Sequence, residues 1–164
     1  MKPKTLDTLL QGVAAGFLGY LTVAIVFAIA NVLTGRSPLY TAAVLGATLF
    51  YGVTDLSQMA PDVFPYVFAY NGAHMMVFLV FGMAGSWLAS IAERGNMLWY
   101  PALFFFLFIA FHIIGGMQLL AEPVARAIPS ASVWMTGILA SVVMGYYLLT
   151  QHPRLRSQLH GWQE

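Results

Sequence analysis

The chain has 164 residues, 60% of them hydrophobic and only 8% charged, with a mean hydropathy of +0.77. A soluble domain carries about 25% charged residues, so seven basic and six acidic side chains cannot wet an 18.0 kDa globule. A net charge of +1 leaves no electrostatic footprint for nucleic acid, and the lack of cysteine excludes disulfides, thiolate zinc sites, cysteine-held iron–sulfur clusters, attached c-type haem and thiol catalysis.

Charges punctuate the chain into five apolar segments. The charge-free runs are Thr8–Gly35 (28 residues), Ser37–Thr54 (18), Val63–Ala92 (30), Gly95–Ala121 (27) and Ala127–Pro153 (27). A helix needs about 20 residues to cross the hydrocarbon core. The segments are far too long for barrel strands and show no alternation of period two. The expected fold is an all-α integral membrane protein: a compact bundle of five apolar helices over about 8–34, 38–55, 66–92, 98–122 and 131–150, with no soluble domain. The start, Met1-Lys2-Pro3-Lys4, is basic like a secretory signal. The apolar stretch behind it greatly exceeds the roughly 7–15 residues of such a signal, so a retained helix is expected.

The second segment is marginal. Ser37 suits an N-cap and Pro38 a first helical position, yet the run ends at Asp55 after about 27 Å. The alternative is four spans plus a re-entrant or tucked helix at 38–55. Basic residues favour the cytoplasmic side. Five spans divide them four against three. Four spans divide them five against two: Lys2, Lys4, Arg94, Arg154 and Arg156 against Arg36 and Arg126. In both arrangements the tail after Gln151 is cytoplasmic, in a bacterial-type inner membrane.

Lipid does not drive helices together, so small residues must permit close approach. They recur four apart: Gly12 and Gly16, Ala42 and Gly46, Gly82 and Ser86, and then Gly137, Ser141 and Gly145. These faces are expected to pack helices within the chain, against other membrane proteins or in a self-oligomer.

Two ionisable residues lie deep in the apolar segments, His74 and His112. Counting along consecutive antiparallel helices puts both about 12–15 Å below the outer boundary. A bis-histidine b-type haem takes one imidazole from each side of its iron, so the pair is a candidate haem or other tetrapyrrole site. Gly115 and Gly116 follow His112 on its own face and leave room for a flat ring. Met75, Met76 and Met117 add thioethers, which together with imidazole suit copper. Against this, membrane histidines commonly hydrogen-bond a neighbouring helix, with Tyr70, Asn71 and Gln118 at the same level, and Tyr70 and Phe78 crowd His74. Asn31 is isolated in the sequence. Asp55, Asp62 and Glu122 gather at the outer rim, where they suit either interfacial solvation or a polar docking rim.

No serine–histidine–acid set, HExxH motif, P-loop or dinucleotide fingerprint is present. The reading is a small non-catalytic membrane subunit packed against other membrane proteins, as in an electron-transfer or photosynthetic complex, with lipid, quinone or pigment in its grooves. The alternatives are a b-type cytochrome using His74 and His112, and a small oligomeric transporter or channel.

Overall fold

The structure, a computed structural model, describes residues 3–95, 100, 103–105, 107–108, 128 and 130–160. Every regular element among them is helical: α1 (Pro3–Leu33), α2 (Tyr40–Tyr51), a 3-10 turn (Leu56–Gln58), α3 (Phe64–Gly95), α4 (Ser130–Gln151) and α5 (Pro153–His160). Residues 103–105 and 107–108 are also helical. Three described helices, α1, α3 and α4, are long and apolar enough to cross a membrane. In lipid a backbone must satisfy its own polar groups, and long uncharged runs do so as helix. The sequence predicts five apolar helices; the described residues contain these three and the shorter α2, and most of 98–122 lies outside them.

Glycines set the closest contact. A Cβ on Gly12 would stand 2.5 Å from the Met83 Cα, one on Gly16 would strike the Phe78 carbonyl, and one on Gly82 would strike the backbone of Gly12 and Gly16. Backbones this close bring hydroxyls into range. Ser86 donates to the Thr8 carbonyl at 2.8 Å, and the Thr8 and Ser90 hydroxyls lie 3.3 Å apart. Further along, Tyr20 meets Asn71. Numbers rise on α1 as they fall on α3, so the two helices are antiparallel. Met144 of α4 fills the space beside Gly19, and Leu148 lies against Gly85. The central cluster is Val23, Phe78, Phe108, Ala140 and Met144, with the Phe78 and Phe108 rings edge to face at 5.4 Å.

Helix α2 differs from the sequence expectation. It begins at Tyr40, and Ser37 forms the turn before it: the Ser37 carbonyl accepts from Tyr40 N at 2.9 Å and its hydroxyl from Leu39 N at 3.4 Å. It ends at Gly52, whose φ of 68° suits glycine and turns its N–H back to the Ala47 carbonyl. Its twelve residues span about 18 Å, well short of a ~30 Å hydrocarbon core. It packs on the start of α3, with Gly46 against the Tyr66 carbonyl and the Tyr51 and Tyr66 rings edge to face at 4.9 Å. The end of α1 and the start of α3 therefore share one end of the bundle, with α2 laid between them.

At the opposite end the basic tail is helical. Leu155 of α5 is 1% exposed and packs on Ala89 and Ala92 of α3, with Leu149 alongside, while Arg154 and Arg156 stay exposed.

Candidate functional site

A cavity of about 180 Å³ lies between α1, α2 and α3. Tyr20, Val23, Ala24, Phe27 and Ala28 of α1 form one wall. Tyr70, Asn71 and His74 of α3 form the second, at the i, i+1 and i+4 positions that share a helical face. Pro38, Leu39, Thr41 and Ala42, at the start of α2, close it. None of the lining residues is charged.

Two polar links fix its shape. Asn31 is buried, at 5% exposure, and is not isolated. Its Nδ2 donates to the Pro38 carbonyl at 3.1 Å, its Oδ1 accepts from the Thr41 hydroxyl at 2.9 Å, and its carbonyl accepts from Arg36 N at 2.9 Å. One side chain thereby ties the end of α1 to the start of α2. The Arg36 guanidinium lies over the Tyr40 ring at 4.6 Å and keeps its charge at the rim. The second link lies deeper. The Tyr20 hydroxyl donates to Asn71 Oδ1 at 3.1 Å. This turns the amide so that Nδ2 is its free edge, and Nδ2 has no hydrogen-bond partner among the described residues.

His74 belongs to this cavity. Its ring is half-buried and stacked on Tyr70 at 5.0 Å and 20°, with Phe78 edge-on at 5.0 Å and Tyr20 at 6.3 Å. The crowding that the helical wheel predicts is present: aromatic rings cover the imidazole from both neighbouring turns. His112, Gly115 and Gly116 lie outside the described residues, as does Met117. Beside His74, Met75 is half-buried and Met76 is exposed. Among the described residues no three His, Asp or Glu side chains converge as a metal group would require. Gly72, between Asn71 and His74 in the chain, faces open space.

The outer acids cap local structure. Asp55 accepts from Ser57 N at 2.9 Å, which holds its carboxyl below the usual range, and Asp62 accepts from Phe64 N at 3.1 Å where α3 begins. Both suit orphan N–H groups at the start of a helical turn. Glu122, Gln118 and Arg126 lie outside the described residues.

Sequence reasoning placed Tyr70 and Asn71 at the level of His74, but it missed Tyr20 and the Asn31–Thr41 bond. The helical period had located Tyr20 only on α1, and the bond to Asn71 spans 51 positions. No protein-family model, curated protein or solved structure matches the chain.

Proposed function

We propose that this chain is a small, non-catalytic integral membrane protein of a bacterial-type inner membrane, a subunit that packs beside other membrane proteins and holds an apolar ligand in the cleft between α1, α2 and α3. The observation that carries the reading is the cleft itself: an uncharged cavity walled by rings and alanines, with a few fixed polar groups. This is the usual make-up of a small-molecule site. No carboxylate or nucleophile with an activating base lines it, which supports binding over chemistry. Its volume suits a ring-sized group better than a macrocycle, since pockets for drug-sized ligands run from about 300 to 1,000 Å³.

The topology that accompanies this reading has four crossings, with α2 tucked. The described α1, α3 and α4 supply three, and the segment 98–122 supplies the fourth. Arg94, Arg154 and Arg156 then share one end and Arg36 lies at the other, so the tail is cytoplasmic and the cleft opens in the outer half. Large apolar side chains remain exposed along all three long helices, among them Ile25, Ile29, Val80 and Val142. These faces are available to lipid or to neighbouring subunits.

The test is extraction in mild detergent, followed by solvent extraction and mass spectrometry of whatever small apolar molecules remain bound. Ala42→Phe fills the cleft from α2 and is expected to reduce that content severalfold while the protein stays monodisperse. Equal content in the wild type and Ala42→Phe would sink the reading.

A further inference from the structure

We infer that the cleft selects a quinone head group, a single ring bearing carbonyl oxygens, with Asn71 as the residue that recognises it. The inference rests on the ligand-binding reading above and narrows it to one chemical class.

Size comes first. An apolar cavity of roughly 150 Å³ takes up one benzene ring. The 180 Å³ here therefore accepts one substituted six-membered ring and little else. Any longer ligand must leave its remainder outside. The wall beside α2 permits this, because Ala24, Ala28 and Ala42 are small and only half-buried. Ile25 and Ile29, next to them on α1, are more than half exposed and mark that side as facing lipid. The geometry fits a ring held in protein with an apolar tail in the bilayer.

Polarity narrows the class. With Asn71 Oδ1 already accepting from the Tyr20 hydroxyl at 3.1 Å, the N–H groups are the unused edge of the amide. Asn71 is half-buried, and a donor on a wall made mostly of rings and alanines favours a ligand that brings an acceptor, because the hydrogen bond so formed is a net gain over one to water. An acyl chain or a hydrocarbon ring brings none. A quinone carbonyl does, and its flat ring matches the aromatic walls of Tyr20, Phe27 and Tyr70. The Tyr20 hydroxyl acts as a positioning group, since without it the amide can rotate and lose its preference.

The experiment compares 2-decyl-1,4-benzoquinone with decylbenzene, which has the same tail and a six-membered ring without carbonyls. Equilibrium binding is measured on the purified full chain in detergent micelles. The wild type is expected to hold decylbenzoquinone about tenfold more tightly, the contribution of one hydrogen bond. Asn71→Leu should erase that difference. Tyr20→Phe should shrink it about threefold. Equal affinities in the wild type overturn the quinone assignment and leave the apolar-ligand reading standing. So does a Tyr20→Phe variant whose preference is intact, which also arbitrates if Asn71→Leu fails to fold. If neither compound binds the wild type, or Ala42→Phe binds both as the wild type does, the underlying reading falls as well.

Discussion

Glu93 and His152, 59 positions apart, face one another at the end of the bundle where α3 and α4 finish, with Nδ1 3.1 Å from Oε2. The other carboxylate oxygen, Oε1, accepts from Arg154 N at 3.2 Å. One side chain at the end of α3 thus holds both the last residue of the α4–α5 connection and the first turn of α5. The imidazole is 5% exposed, and its Nε2 has no hydrogen-bond partner among the described residues, so its orientation is set from the Glu93 side.

Glu93→Ala should free α5 without unfolding the bundle. It strands a buried imidazole and an N–H, a cost of about 1–3 kcal/mol. Hydrogen exchange over 153–160 should quicken at least tenfold while α1 keeps its protection. Glu93→Gln, which retains the shape and an acceptor, should be milder. Unchanged exchange in the alanine variant would show that Leu155 alone docks the tail.

The α1–α3 contact should be the least tolerant of bulk. Gly16→Leu and Gly82→Leu each drive a side chain into backbone that cannot move aside, and overpacking of this kind costs about 1–3 kcal/mol or more. Gly72→Ala meets nothing within 4 Å and Gly145→Ala meets Phe105 only at 4.0 Å, so both should be silent. Thermal unfolding in mild detergent ranks them. A Gly72→Ala variant as unstable as Gly16→Leu would contradict this packing.

Some of this was legible in the sequence. Runs of 28 and 30 uncharged residues can satisfy their backbone in lipid only as helix, so α1 and α3 follow from composition. The glycines at 12, 16 and 82 announce close approach, although spacing cannot say which helix they meet. Helix α2 was harder. Hydropathy counts apolar residues but not direction, and the left-handed turn at Gly52 stops the helix within an apolar run. Asn31 looked isolated because its partner, Thr41, sits ten residues on, beyond a turn that only the fold closes. The tail read as a basic patch, which concealed the buried Leu155. At the site, periodicity placed His74 among Tyr70, Asn71 and Phe78, which share its helix. It could not supply Tyr20, which comes from another.

Asn31 should matter more than its rim position suggests. Asn31→Leu removes the bonds to Pro38 and Thr41 and leaves the Thr41 hydroxyl unmet in a buried place. Thr41→Val removes only one. The first is expected to lower stability by about 1–3 kcal/mol and the second by about 1 kcal/mol. Both should raise maleimide labelling of a cysteine introduced at Ala42, against a background with no native cysteine. Labelling that stays at the wild-type level in both variants would mean that the contacts with α3 hold α2 alone.

The proposed topology, with α2 tucked, fixes a labelling pattern. Single cysteines at Ser37 and at Ser57 should react with an impermeant maleimide from the same face of oriented vesicles, and one at Ser157 from the opposite face. Reaction of Ser37→Cys and Ser57→Cys from opposite faces would require α2 to cross.

The placement of α2 also orders the assembly of the protein. During synthesis α1 is followed by α2 before any of α3 exists. Yet the groups that receive α2, the Tyr66 carbonyl and the Tyr51–Tyr66 ring pair, depend on α3. Alone beside α1, α2 has the Asn31 link and little else to hold it. Twelve residues are too few to lodge across the bilayer while they wait. The segment gains its remaining partners only when α3 arrives. The cleft is therefore a late product of biogenesis, absent from every nascent chain that has not yet inserted α3.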